Sequence, residues 1–219
     1  MNVFDILGPV MIGPSSSHTA GAARIGGVAR ALLAAEPARA VIQLHGSFAK
    51  TYKGHGTDKA IIAGIMGMAP DDERIRRAPE LAAAAHLAVT IETVELDGAH
   101  PNTARILLWD AAGRTVTVQG ASVGGGNILI TSVNGMEVQI TGQYTTLIVL
   151  HRDTPGTIAA VADVLAAHGV NICNFRLARR EKGGVAVMTI ELDGSFEPKL
   201  NREVEALPNI LSSTMLQPI

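Results

Sequence analysis

The last third of the chain carries a succession of strand and helix patterns that few folds accommodate. A helical stretch opens at Thr154-Pro155 and stops at Gly169, with proline just inside the start and glycine just past the end. The predicted elements, in chain order, are a strand over 145–151, a helix over 155–168, strands over 172–180 and 185–192, a helix over 197–207 and a strand over 210–216. This β-α-β-β-α-β order is that of the ferredoxin-like fold. We therefore expect a compact domain over 145–219.

The part of the chain before Gly142 mixes helix and strand signals. Apolar residues recur at helical spacing over 19–33, which predicts a helix with one buried face. Further segments predict a helix over 59–68 and strands over 40–44, 88–96, 103–109, 114–119 and 127–133. Asn134-Gly135 predicts a type I′ hairpin turn because both residues tolerate positive φ, and the glycine-rich run Ser122–Gly126 predicts a bend between strands. With 219 residues, 47% of them hydrophobic, two modest cores are expected. The predicted fold class is α+β, with a mixed α/β sheet domain over 1–142 before the ferredoxin-like domain over 145–219.

Charge and aromatic content point away from nucleic acid. The formal net charge is -2 without a long basic run, so little in the sequence attracts a phosphate backbone, and 3% aromatic residues offer few stacking surfaces. No apolar run is long enough to span a bilayer, and the N-terminus lacks the pattern of a signal peptide. We therefore expect a cytoplasmic protein without a nucleic-acid or membrane partner. The charged run over 71–77 is expected to be solvated surface.

Cys173 is the single cysteine of the chain. It lies in a predicted strand, where a buried structural thiol is expected rather than a metal ligand. A cubane iron–sulfur cluster needs several cysteine thiolates. The chain by itself is therefore expected to hold neither such a cluster nor an internal disulfide.

The segment after Pro14 places hydroxyl groups and an imidazole at a predicted helix start. The side chains concerned are Ser15, Ser16, Ser17, His18 and Thr19. The first backbone N–H groups of a helix lack intrahelical partners and carry partial positive charge, so with these hydroxyls they can hold a carboxylate or phosphate. His18 adds a group that titrates near neutral pH. One serine alone would be an ordinary N-cap, but three serines followed by His-Thr are more than a cap requires.

Met11–Gly21 resembles the opening of the iron–sulfur-dependent L-serine dehydratases, which convert L-serine to pyruvate and ammonia. Three later segments resemble further motifs of that family, in the same order: Gly54–Asp58, His100–Thr103 and Ser122–Gly126. The resemblance implies this activity on a [4Fe-4S] cluster without pyridoxal phosphate, and an N-terminal domain similar to the allosteric-substrate-binding type. Because the chain has one thiol, the resemblance also implies that it is a beta subunit whose partner, the alpha subunit, carries the cluster.

Eliminating water from serine requires removal of the Cα proton and help for the departing hydroxide. Within the resemblance, an open iron of the cluster acts as the Lewis acid, and a histidine suits the role of base near neutral pH. His55 lies between two glycines, where a ligand can approach closely, and is the predicted base; His18 is the alternative base or a substrate-orienting donor. Asp58 could orient an imidazole or simply cap a helix. The other motif residues expected to contact substrate are His100, Asn102, Thr103 and Ser122. The remaining histidines, His45, His86, His151 and His168, are expected to be ordinary surface or core residues.

The run from His151 to Gly156, followed by Gly169-Val170-Asn171-Ile172, resembles the ACT domain, an amino-acid-sensing module, and specifically the serine-sensing example on phosphoglycerate dehydrogenase. The resemblance implies a regulatory ligand held by Asp153, Gly156 and Asn171, with L-serine as the leading candidate. Asp153 stands where that sensor has asparagine, and an ionised carboxylate accepts hydrogen bonds but cannot donate them. Such domains pair edge to edge with ligands between subunits, so self-association is expected.

Two other functions fit parts of the sequence. The chain could be a purely regulatory amino-acid-binding module without catalytic groups, or the regulatory end of a phosphoglycerate dehydrogenase. The last third of the chain fits both of these alternatives. The histidine and serine motifs of the first domain favour the dehydratase, since a simple sensor would not need them.

Overall fold

The computed structural model describes residues 10–194 and 196–218, which separate into two compact units that divide after Gly135. The sequence analysis set the boundary near Gly142. The segment in between includes a strand, Met136–Ile140, that contacts strands of the second unit. The predicted domain bounds, 1–142 and 145–219, therefore stay predictions.

In the first unit a sheet carries the helices. Its strands are β1 (Pro37–Leu44), β2 (Ala88–Thr93), β3 (Thr103–Asp110), β4 (Thr115–Gly124) and β5 (Asn127–Val133). They lie in the order β2-β1-β3-β4-β5. The β1–β2 pair is parallel and the other pairs are antiparallel. The chain therefore leaves β1, enters β3 and leaves β4 at the same end of the sheet.

The helices of the first unit are α1 (Ala22–Leu33), α2 (Gly46–His55), α3 (Thr57–Ile65) and α4 (Ala78–Ala84). A short π-helix, Ser17–Gly21, runs directly into α1. Helix α1 packs on β3 and β4 and contacts α3 on its other side. Its buried residues include Ile25, Val28 and Ala29, which confirms the buried face predicted from the helical spacing, although Leu32 of the same stripe is only half-buried.

Helices α1 and α3 touch backbone to backbone. A Cβ atom added at Gly64 would overlap the carbonyl oxygen of Ala23, and one added at Gly26 would overlap that of Ile61. Glycine allows this close approach because it has no side chain to keep the helices apart. The crossing fixes the position of α3 relative to the start of α1.

The second unit begins with the strand β6 (Met136–Ile140) and continues through the predicted β-α-β-β-α-β order. Its elements are β7 (Thr145–Arg152), α5 (Thr157–Ala167), β8 (Ile172–Arg179), β9 (Val185–Leu192), α6 (Pro198–Glu205) and β10 (Ile210–Leu216). The four-stranded sheet has the order β10-β7-β9-β8 with antiparallel neighbours. Apolar residues of β7 and β9 form its core with those of α5 and α6. The predicted α+β class and ferredoxin-like domain are confirmed.

Some local predictions were wrong. Helices α2 and α4 were not predicted, and the charged run over 71–77 contains a 3-10 helix, Glu73–Arg77, in which Ile75 is buried. Cys173 is exposed on β8 rather than buried, because β8 is an edge strand. The hairpin turn holds: Asn134 and Gly135 have φ of 50° and 72°.

Candidate active site

The predicted anion-binding segment forms a π-helix rather than an α-helical start. The N–H of Gly21 donates to the carbonyl of Ser16 over 2.9 Å, five residues back, which is the π pattern. His18 and Thr19 are buried in this turn, while Ser15, Ser16 and Ser17 stay half-buried. The π turn therefore draws His18 into the protein and leaves the serines nearer the surface.

Two hydroxyl groups and two aromatic rings contact the imidazole of His18. Its Nδ1 lies 3.2 Å from the Ser15 hydroxyl and its Nε2 lies 3.0 Å from the hydroxyl of Thr51 on α2. The ring meets Phe48 and His55 edge to face, with centroid separations of 5.1 and 4.6 Å. Burial, followed by repulsion from His55, lowers the pKa of His18 below its usual value. The imidazole is therefore kept neutral near physiological pH.

His55 is the last residue of α2 and is exposed. It lines a cleft of about 490 Å³ together with three cationic side chains, Lys53, Lys59 and Arg76. No carboxylate is among the described residues that line this cleft. The excess of positive charge around an accessible imidazole suits a small anionic ligand.

Asp58 lies in the first turn of α3, three residues after His55. Its Oδ1 and the hydroxyl of Thr57 are buried and have no hydrogen-bond partner among the described residues. Neither proposed role of Asp58 is seen, since its side chain makes no N-cap hydrogen bond and none joins it to His18 or His55 within residues 10–194 and 196–218. Buried polar atoms without partners are uncommon and often belong to a binding site.

The loop His100–Thr103 ties the sheet to the start of α2. The N–H of Ser47 donates to the carbonyl of Pro101 over 2.7 Å. Within the loop, the Asn102 N–H donates to His100 Nδ1 over 3.1 Å, and the Thr103 hydroxyl donates to the His100 carbonyl over 2.6 Å. The hydroxyl proton of Thr103 is therefore already donated within the loop. His100 is exposed and Asn102 half-buried, so these two remain the accessible members of the loop.

The bend predicted within Ser122–Gly126 is present at Gly125-Gly126, between β4 and β5, whereas Ser122 itself lies inside β4. The extended pairing of β4 with β5 continues past Ser122 to Gly124. The Ser122 hydroxyl is fully buried, has no hydrogen-bond partner in the described part of the chain, and packs against Gly21, where any Cβ would overlap it. The Ser122 N–H donates to the Asn102 carbonyl over 3.0 Å. Ser122 therefore connects the π turn to the His100–Thr103 loop.

Two residues near these motifs were missed by the sequence analysis. Arg24, in the first turn of α1, donates from Nη1 to the Gly126 carbonyl over 2.6 Å, while its Nε is buried and has no hydrogen-bond partner within residues 10–194 and 196–218. Burial lowers its pKa, and no carboxylate pairs with it among the described residues. The sequence signal that could have identified Arg24 is a charged residue within the apolar stretch Ala22–Ile25, since burying a charge is costly. Thr51 gave no signal, because its helix was not predicted.

The predicted regulatory residues lie apart within one chain. Asp153 follows β7 and accepts hydrogen bonds from Arg179 Nη1 at 2.5 Å and the Gly183 N–H at 3.0 Å. Asn171 precedes β8 and donates to Asp193 over 2.5 Å. Since β7 and β8 both run antiparallel to β9, these two positions are at opposite ends of the sheet, about 25 Å apart at the rise of a strand. Gly156 has φ of 88° at the start of α5.

Asp153 gives a prediction about acid stability. The Gly183 N–H, and then Arg179, lower the pKa of Asp153 in the folded chain. A lowered folded pKa stabilises the fold above the unfolded value of about 3.9, and this contribution is lost as the pH falls through the folded pKa. In thermal melts, Asp153→Asn should therefore lower Tm most at neutral pH, with the difference shrinking toward pH 3. Asp163→Asn, an exposed site on α5, is the control; an equal trend in both variants would contradict the assignment.

His151 is a core residue as expected, but it is not fully satisfied. Its Nδ1 lies 2.8 Å from the Arg152 carbonyl, while Nε2 is buried without a partner among the described residues. No group of three or more His, Cys, Asp or Glu is placed to hold a metal in the described part of the chain. No helix there is long and apolar enough to cross a membrane.

Comparison with known proteins agrees with the sequence motifs. Residues 2–95 match the family model for the serine dehydratase beta chain, and residues 147–212 match the AHAS small subunit-like ACT domain. The chain is 47% identical to the probable L-serine dehydratase beta chain of Bacillus subtilis, over 98% of this chain and 97% of that one. It is 38% identical to the L-serine dehydratase beta chain of Peptoniphilus asaccharolyticus, over 93% and 92%.

A shorter stretch of the chain also matches a second group of proteins. A D-3-phosphoglycerate dehydrogenase of Methanocaldococcus jannaschii is 34% identical over 37% of this chain and 16% of that protein. This match is confined to a part of each chain, whereas the beta-chain relatives match along nearly their whole length. The expected family resemblance is confirmed, and the chain belongs to the L-serine dehydratase beta-chain family.

Proposed function

We propose that the chain is the beta subunit of a cytoplasmic L-serine ammonia-lyase that forms pyruvate and ammonia with a cluster-bearing alpha subunit. The observation that supports this most is the contact between two imidazoles, His18 and His55, one buried and neutral, the other exposed in a cationic cleft. A site that only senses an amino acid has no need of two juxtaposed proton-transfer groups.

The chain's own residues do not fit a [4Fe-4S] cluster. Its one thiol, Cys173, is exposed in the second unit, and the histidines and Asp58 form no metal-holding group with it among the described residues. A cluster that acts as Lewis acid on the serine hydroxyl therefore belongs to the alpha subunit.

The residues of the cleft supply the binding and proton-transfer parts of the reaction. Lys53, Lys59 and Arg76 hold the substrate carboxylate by charge. The exposed His55 takes the Cα proton, with His18 packed against it. Asn102 and the half-buried Ser15, Ser16 and Ser17 orient the substrate, while the fully buried Ser122 keeps the π turn and the His100–Thr103 loop together.

The second unit is proposed to sense an amino acid, with L-serine as the leading candidate, after self-association. Asp153 and Asn171 are at opposite ends of the sheet, so one ligand can meet both only where two copies join. The strand β8 is a sheet edge with exposed apolar side chains: Ile172, Phe175 and Leu177 are 37%, 38% and 41% exposed. By register, Phe175 and Leu177 oppose the core residues Ile190 and Met188. Antiparallel pairing of two β8 edges would cover them and bring Asp153 of one copy to Asn171 of the other.

The test is anaerobic conversion of serine to pyruvate by this chain mixed with the cluster-bearing alpha subunit. Neither chain alone should form pyruvate, and the mixture should. If the alpha subunit alone matched the mixture in turnover and only lost its response to serine, the chain would be a regulatory module instead.

A further inference from the structure

A hydrogen-bonded chain of side chains runs through the His18 ring. It joins Ser15, His18 and Thr51 and ends on the backbone carbonyl of Ser47. We propose that Thr51 is a positioning residue that fixes His18 as its Nε2–H tautomer, so that Nδ1 is the proton acceptor and Ser15 is the group through which it acts.

The argument begins with the single proton of the Thr51 hydroxyl. This hydroxyl donates to the Ser47 carbonyl over 2.8 Å, one turn back in α2. With its proton used, its oxygen can only accept from His18 Nε2, which is 3.0 Å away. Nε2 therefore carries the proton of the neutral ring, and Nδ1 is left as a lone-pair acceptor.

The contacts of Ser15 agree with this tautomer. The His18 backbone N–H donates to the Ser15 oxygen over 3.4 Å, while the Ser15 hydroxyl is 3.2 Å from Nδ1. If the Ser15 hydroxyl donates to Nδ1, every polar hydrogen in this series of hydrogen bonds has an acceptor. In the opposite tautomer both the backbone N–H and Nδ1–H would point at the Ser15 oxygen, and the Ser15 proton would have no acceptor among the described residues.

The surroundings of the ring limit how it can meet a ligand. His18 is 8% exposed, and each of its ring nitrogens already faces a hydroxyl. Burial and the neighbouring His55 lower its pKa, so the neutral form is the one to consider. Ser15 is half-buried and follows Pro14, which lines the cleft. A proton given by a ligand to the Ser15 oxygen is balanced when the Ser15 proton moves to Nδ1; the ring becomes imidazolium, and the reverse transfer restores it.

The first test is nitrogen NMR of the His18 imidazole in the full chain labelled with ¹⁵N, with the signal assigned by its loss in His18→Asn. The wild type should show Nε2 protonated and Nδ1 bare. Thr51→Val keeps the side-chain shape and removes the hydroxyl, and should give a mixture of both tautomers, while Thr51→Ser should restore the single one. A protonated Nδ1 in the wild type would overturn the proposal. So would an unchanged single tautomer in Thr51→Val.

The second test uses the assembled enzyme and rests on the proposed function. Thr51→Val should lower kcat roughly tenfold with little change in KM, a part of the 10²- to 10⁴-fold that general acid–base groups contribute, and Thr51→Ser should recover most of it. Thr131→Val is the control, because Thr131 on β5 also donates to a backbone carbonyl, that of Gln119 on β4, and makes no hydrogen bond with His18. If the wild-type mixture forms no pyruvate, the proposed function fails, and the NMR result still decides the tautomer.

Discussion

Replacing His55 by alanine is expected to lower kcat of the assembled enzyme by about 10²- to 10⁴-fold, the range that a positioned general base contributes. His55 is exposed at the end of α2 and lines the cationic cleft, so its ring can reach a bound substrate. The substitution leaves the other cationic residues that line the cleft, Lys53, Lys59 and Arg76, unchanged in sequence. Substrate should therefore still bind, and KM should change far less than kcat. Steady-state pyruvate formation with the alpha subunit measures both constants.

The control for this variant is His86→Asn, at an exposed histidine outside the site whose φ of 58° asparagine also tolerates. It should leave kcat unchanged. Co-elution of each variant with the alpha subunit separates loss of chemistry from loss of assembly. If His55→Ala and His18→Ala both assemble and both keep wild-type turnover, the chain does not supply the base and its role is regulatory.

Replacing Gly64 by alanine is expected to destabilise the first unit by about 1–3 kcal/mol, the usual cost of overpacking a core. Alanine in a helix is ordinarily better than glycine by about 1 kcal/mol. At this position, however, the added Cβ would overlap the Ala23 carbonyl oxygen across the α1–α3 crossing. Because that oxygen belongs to a helix backbone, relief requires the two helices to move apart. Urea unfolding should show a lower midpoint for Gly64→Ala.

A matched control is present on α1. A Cβ added at Gly27 has its nearest neighbour, the Gly64 carbonyl oxygen, at 4.0 Å, whereas one added at the adjacent Gly26 overlaps the Ile61 carbonyl oxygen. Gly27→Ala should therefore raise the free energy of unfolding by up to about 1 kcal/mol, and Gly26→Ala should lower it. Equal effects of the two substitutions would show that helix propensity, and not the backbone contact, decides stability here.

The second unit could be predicted almost completely from local patterns. Strand β9 and strand β10 begin and end where the sequence placed them, and α5 lies between the proline and glycine that mark its ends. Its elements carry regular apolar periodicity and clear turn residues. Local signals and the final packing agree there, so little depends on contacts between distant residues.

The first unit could be predicted only in part. Helix α2 was missed because Phe48 is its one buried apolar residue, so it has no apolar stripe to detect. The π turn at Ser17–Gly21 shifts His18 relative to the face of α1, so helical spacing could not show that its ring is buried. Among the motif residues, His18 and His55 contact each other, and Ser122 packs on the π turn that holds His18. Thr51 and Arg24 depend on tertiary contacts that one sequence does not reveal.

The separation of Asp153 from Asn171 along the sheet of the second unit has a consequence for enzymology. A ligand site that needs both residues does not exist in a lone chain; it is created by the meeting of two chains. Its abundance then follows the concentration of protein as well as that of the amino acid, by mass action. Diluting such an enzyme dissociates paired chains, so the number of ligand sites falls as well as the fraction that is occupied. The proposed response to serine should therefore fade on dilution even when the serine concentration is kept constant.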